Sequence, residues 1–81
     1  MWYLYILLCE DQSLYAGITR DPQLRLLKHK DGKGGAYTRS HKPVKIVYLE
    51  RHISKSSALK RELEIKALKR TEKIKILKLQ L

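Results

Sequence analysis

A single cysteine, Cys9, stands among the 81 residues. That excludes an intramolecular disulfide framework and a multi-cysteine zinc site, and it suits a reducing compartment. Acidic residues are also scarce: eight Asp and Glu against eighteen Lys and Arg leave a formal charge of +10, which puts polyanions first among the expected partners. Long apolar runs are missing. Met1 to Cys9 is apolar but lacks a basic leader and is less than half a membrane span, so it reads as a buried strand. No secretory signal, low-complexity tract or repeat is present, nor a P-loop, a Rossmann fingerprint, a zincin helix or a nucleophile elbow. The expectation is a cytoplasmic protein that uses neither a membrane nor a small-molecule cofactor.

What remains is one small domain. Eighty-one residues are too few for two domains, and a chain of this size buries only about 60–65% of its unfolded surface. Hydrophobic residues at 43% beside charged ones at 32% mark it as globular and not disordered.

Trp2 to Leu8 predicts a first strand, Glu10 to Ser13 a turn, and Leu14 to Thr19 a second strand closing a hairpin. Asp21 and Pro22 suit the cap and first position of a helix that runs through Leu24 and Leu27 to about Lys30 and stops at Asp31-Gly32. Gly32 to Pro43 reads as a flexible basic loop, and Val44 to Leu49 as the third strand. Ser54 caps a helix from about Lys55 to Lys69, and Thr71 caps a last one reaching about Lys78. The order is strand, strand, helix, strand, helix, helix. It predicts an α+β fold with a three-stranded, mainly antiparallel sheet flanked by helices. The whole chain is one domain, with a core over about 2–69 and a C-terminal helix over about 71–79. In that helix Ile74, Leu77 and Leu81 form a stripe that could dock on the chain's own sheet, on a second copy or on another protein, so oligomeric state stays open.

Several residues are candidates for chemistry. Tyr5 and Tyr15 lie ten apart, one on each arm of the hairpin. A turn centred between Asp11 and Gln12 sets Tyr5 across from Ile18 and puts the phenols on opposite faces; a shift that sets Tyr5 across from Thr19 puts them on the same face. Tyrosine also suits a half-buried strand with no further role. Arg25 and His29, four apart, share a helix face that could hold a phosphate oxygen or simply be solvated. At about 100° per residue, Ala58, Leu59, Leu63 and Ile65 define one side of the second long helix, and Glu62 falls inside that arc. A carboxylate facing the sheet needs a partner. Lys66 could supply it as an i,i+4 pair, or Glu62 could ligate a hard cation whose other ligands are water and phosphate. Lys33, Tyr37, Thr38, Arg39, His41 and Lys42 give the loop the mixture of cations and aromatics expected of a phosphate-contacting segment.

Together these residues resemble the GIY-YIG nuclease domain. Tyr3-Leu4-Tyr5 stands for the first signature and Tyr15-Ala16-Gly17 for the second, with both motif tyrosines kept. Arg25 follows Tyr15 by ten residues, His29 completes an Arg-Leu-x-x-His pattern, and Glu62 closes Ala-Leu-Lys-Arg-Glu. The likeness runs from about Trp2 to Leu68 and is greatest to small stand-alone bacterial members with no appended DNA-binding domain. The chain has no asparagine, so the active-site asparagine of some members is absent, with Lys66 or a loop residue as the available substitute. The resemblance implies Mg²⁺- or Mn²⁺-dependent hydrolysis of a nucleic-acid phosphodiester at one metal, with DNA the favoured substrate. By that analogy Glu62 holds the metal, Tyr15 is the general base, Arg25 stabilises the phosphate, and Tyr5 and His29 orient water or phosphate. Lys33, Tyr37, Thr38, Arg39, Lys42 and Lys66 are the expected nucleic-acid contacts. Non-catalytic nucleic-acid binding is one alternative, since the same charge serves both, and an interaction module using the C-terminal helix is the other.

Overall fold

An unbroken apolar run implies a strand covered on both faces. The computed structural model, which describes residues 1–81, places that run as β1 (Trp2–Cys9) in the middle of a three-stranded antiparallel sheet, order β2-β1-β3. Every β1 residue from Leu4 to Cys9 is buried. The edges are β2 (Leu14–Thr19) and β3 (Pro43–His52). β3 extends past Leu49 because Glu50, Arg51 and His52 pair with Leu4, Tyr3 and Trp2. Proline and charged residues along β3 suit an edge, where they discourage pairing with another chain.

The hairpin adopts neither anticipated register. Tyr5 pairs with Gly17, and Tyr15 with Leu7. The loop is three residues long, Glu10 to Gln12: the Gln12 N–H donates to the Cys9 carbonyl at 3.0 Å, and Gln12 takes φ of 70°. A turn followed by a left-handed residue is the usual geometry for that loop length. The consequence is positional. Side chains alternate across a strand, so Tyr5, Tyr15, Gly17 and Thr19 all share one face of the sheet.

Leu4, Ile6 and Ala16 point to the opposite face, where they form the core with Ile65 and Leu79. Burying each large aliphatic there is worth about 1.5–3 kcal/mol. Ile65 belongs to α3 (Lys55–Lys66), which crosses β1 and β2 and is capped by Ser54, whose hydroxyl accepts the Ser57 N–H at 3.2 Å. The expected arc on this helix is corrected: Ala58 and Ile65 are buried, but Leu59 and Leu63 are exposed. The inward face is the line Ala58, Glu62, Ile65 flanked by Arg61. Its rotation is fixed by Glu50, which accepts from Tyr48 (2.7 Å) and from Arg61 Nε (3.1 Å) and pairs with His52 (2.7 Å). Burial alone would raise Glu50, but these three partners hold its carboxyl below the ordinary value.

α3 ends at Lys66, three residues short of the expected Lys69, where its last turn tightens through a Leu68 N–H to Ile65 carbonyl bond of 3.0 Å. The final helix, α4 in the chain, begins at Arg70, so Thr71 lies inside it and is not its cap; instead the Glu72 carboxylate accepts the Lys69 N–H at 2.8 Å. This helix (Arg70–Ile76) docks on its own chain, with Ile74 and Leu77 against the core. On the Tyr5 face, α1 (Pro22–Lys30) runs over β1 and β3. Asp21 caps it by accepting the Leu24 N–H at 3.2 Å. The Gly32 to Pro43 segment is not a plain loop. It contains a short helix, α2 (Ala36–Ser40), against α1, with Thr38 buried.

Candidate active site

The shared face of β1 and β2 brings the two phenols together, with ring centroids 6.5 Å apart. α1 delivers His29 from above, one turn beyond Arg25. His29 is buried, not solvated. Its Nε2 lies 2.9 Å from the Tyr5 hydroxyl and its Nδ1 2.6 Å from Thr38 Oγ1, and Thr38 in turn donates to the Gly35 carbonyl at 3.5 Å. One set of roles satisfies the whole chain: Tyr5 donates to Nε2, Nδ1–H donates to Thr38, and Thr38 donates to the backbone. With both nitrogens spent, His29 does not reach a phosphate alongside Arg25; it stands behind Tyr5. The same geometry corrects Thr38, an expected nucleic-acid contact: its hydroxyl faces inward and serves His29.

Arg25 Nη2 donates to the Gly34 carbonyl at 3.0 Å, using one of the five donors of its guanidinium fork. Burial pushes the Tyr5 phenol up to about 12; Arg25 pulls it down, and Tyr15 and Glu62 push it up. The Tyr5 hydroxyl is therefore the point on which Arg25, Tyr15, Glu62 and His29 all act, and it keeps its proton at neutral pH. Glu62 arrives from α3, with its side chain 16% exposed, and pairs with Lys66 at 3.2 Å. Lys66 Nζ also stands 5.8 Å from the Tyr15 ring centroid, which ties this acid to the phenol pair. No three His, Cys, Asp or Glu side chains gather into a metal-binding group. A cation held by Glu62 would take its other ligands from water and phosphate oxygens, as Mg²⁺ readily does. One hard carboxylate, partly open to solvent, among cations that suit a phosphate fits that mode.

The loop residues fall into two sets. Lys33, Arg39 and Lys42 are exposed. Tyr37 stacks on Tyr15 (5.5 Å) and on His41 (4.2 Å), and His41 is held by Asp11 at 2.5 Å. Aromatic spacing across the Gly-rich loop gave no sign of this stack, because the residues meet only after α2 forms. The molecule's concave cleft does not lie over the phenols. It opens beside them and is lined by Thr19, Arg20, Asp21, Leu24, Arg25 and Lys28, sharing only Arg25 with the group above.

Two glycines given no role by the sequence, Gly17 and Gly34, matter here. A Cβ on Gly17 would sit 2.6 Å from the Tyr5 hydroxyl oxygen, and one on Gly34 would run into the His29 ring. Gly17→Ala should therefore displace the Tyr5 ring. Relieving strand glycine entropy favours the substitution by roughly 0.5–1 kcal/mol, whereas overpacking costs about 1–3 kcal/mol. Thermal melts should show the variant less stable, and an equal or higher Tm would contradict this packing.

Comparison with known proteins gives a consistent result. The GIY-YIG catalytic domain family model matches residues 1–75. A UPF0213 protein of Staphylococcus saprophyticus is 47% identical over 75 residues, covering 93% of this chain and 92% of that one. Another from Cupriavidus necator is 50% identical over 72 residues, covering 89% and 78%. The solution NMR structure of a UPF0213 protein from Bacillus halodurans superposes with a TM-score of 0.61 at 40% identity, covering 96% of this chain and 84% of that one.

Proposed function

The chain belongs to the family of GIY-YIG catalytic domains, a nuclease superfamily, and on that premise we propose that it is a divalent-metal-dependent endonuclease hydrolysing phosphodiester bonds in DNA. The observation that carries this reading is the environment of the Tyr5 hydroxyl on β1, on which Arg25 and His29 from α1, Tyr15 from β2 and Glu62 from α3 all act. Glu62 is the residue that would hold the Mg²⁺ or Mn²⁺ ion, which would supply charge neutralisation to the phosphate.

The chain's own residues do the rest. Arg25 presents its remaining donors to the phosphate and stabilises the charge that builds there in the transition state. Tyr15, the more open phenol, acts in its phenolate form: its oxygen takes one proton from the attacking water as the water oxygen bonds phosphorus and the leaving oxygen departs. Tyr5, held protonated with its O–H given to His29, orients the attacking water through its remaining acceptor capacity. His29 is a positioning residue that fixes the Tyr5 hydroxyl from behind. Lys33, Tyr37, Arg39, Lys42 and Lys66 contact the nucleic acid around the site. Contacts of this kind go to the sugar–phosphate backbone and carry no base information, so cleavage follows DNA structure or is non-specific.

The 3.2 Å pairing of Glu62 with Lys66 favours one other reading, binding without hydrolysis, in which that acid is merely neutralised. Supercoiled plasmid separates the two. An endonuclease nicks it with Mg²⁺ or Mn²⁺ and leaves it intact in EDTA. A gel shift with no nicking in either metal identifies a binding protein.

A further inference from the structure

The cleft beside the phenols has a volume of about 230 Å³ and is walled by Arg20, Arg25 and Lys28, with Thr19, Asp21 and Leu24 completing it. At ~30 Å³ per water it has room for a phosphodiester group and part of its sugar. Three cations line it against one acid, and that acid is engaged in capping: Asp21 Oδ1 accepts the Leu24 N–H at 3.2 Å. Leu24 is half exposed and offers the one apolar surface of the cleft.

Its position is the informative feature. Thr19 is on the same sheet face as Tyr5 and Tyr15, at the far end of β2, and Arg25 belongs both to the cleft and to the surroundings of Tyr5. A strand whose reacting phosphate engages Arg25 at the phenols has a neighbouring phosphate beside Arg20 and Lys28. Arg20 is steadied there, with its guanidinium carbon 5.9 Å from the Trp2 ring centroid. We infer that Arg20 and Lys28 form a subsite for a backbone phosphate adjacent to the reacting one, so that the nucleic acid crosses the face of α1 that carries Arg25 and Lys28. The inference rests on the nuclease reading for the identity of the reacting phosphate. Its ligand is the sugar–phosphate backbone, without regard to base.

The test is binding in EDTA, which separates the subsite from hydrolysis. A fluorescein-labelled duplex oligonucleotide is titrated by anisotropy over a range of KCl. Three proteins are compared: wild type, Arg20→Ala/Lys28→Ala, and Lys60→Ala/Lys75→Ala, which removes equal charge from exposed positions on α3 and α4. Each backbone phosphate contact adds about 0.9 to the slope of log K against log salt. The cleft variant should lose roughly one to two of that slope and at least about tenfold in affinity near 0.1 M salt, while the control stays close to wild type. Equal losses in the two double variants would overturn the subsite and leave net charge as the explanation. An unchanged cleft variant would overturn it as well, with the nuclease reading intact if plasmid nicking persists. A wild-type protein that binds no oligonucleotide overturns both.

Discussion

Glu62→Ala should fold normally and lose at least about a thousandfold in metal-dependent cleavage. The size follows from the role: a cation at a phosphoryl centre supplies several kcal/mol of transition-state stabilisation, and each 1.36 kcal/mol is about tenfold in rate. The fold should hardly register the change. Glu62 has one side-chain partner, Lys66, and an i,i+4 pair is worth about 0.2–0.5 kcal/mol. Lys66→Ala is the companion variant. If Glu62 serves only as the other half of an ion pair, the two substitutions have equal effects; if it holds a cation, Glu62→Ala is far worse. Nicking by purified Glu62→Ala at the wild-type rate would refute the metal assignment.

His29→Ala should be the most destabilising single change in the site. It leaves the Tyr5 and Thr38 hydroxyls buried without their shared partner, at roughly 1–3 kcal/mol each, and opens a cavity between α1 and the sheet. A total near 3–5 kcal/mol is a large part of what a small domain has. At about 4–8 °C per kcal/mol for a domain this size, Tm should fall by at least ~12 °C. A Tm within a few degrees of wild type would contradict the buried relay. The same residue sets a pH dependence. Burial first, and the charge of Arg25 second, hold His29 below its ordinary value. A base that resists protonation only when folded stabilises the protein above its unfolded pKa of about 6.5 and loses that contribution as pH falls. His29→Gln has no such titration. Wild type should therefore lose stability relative to His29→Gln as pH falls below about 6.5. Asp11, held at about 2 first by its bond from Ser13 and then by His41, acts only in stronger acid. A difference between wild type and His29→Gln that is flat with pH would contradict the neutral, buried ring.

Strand existence was legible because β1 carries its burial in composition: six consecutive buried residues need six residues that tolerate burial. Capped helix starts were legible for the same local reason, Asp21 and Ser54 each being bonded as their residue type suggests. Hairpin register was not. It turned on whether Gln12 would accept a left-handed backbone, a choice that a glycine would have announced and a glutamine conceals. Glu62 stood out as an acid on an inward face, yet the face itself was misdrawn, because Leu59 and Leu63 look like core by type and are exposed in fact. What rotates α3 is the Glu50, His52 and Arg61 network, whose members are polar, come from two elements and carry no periodic signal. Thr38 failed as a surface contact for a related reason: nothing local distinguishes a threonine that bonds a buried histidine from one on an exposed loop.

The central claim is that a divalent cation and a backbone phosphate meet at Glu62 and the paired phenols. The most direct measurement is an NMR titration of ¹⁵N-labelled wild-type protein with Mn²⁺, in the presence of a phosphorothioate oligonucleotide that resists cleavage. Paramagnetic broadening should be strongest at the amides of Glu62, Lys66, Tyr15 and Ala16 and weaken with distance from them. Broadening centred on Asp11 or Glu64, or none near Glu62 once the oligonucleotide is bound, would contradict it.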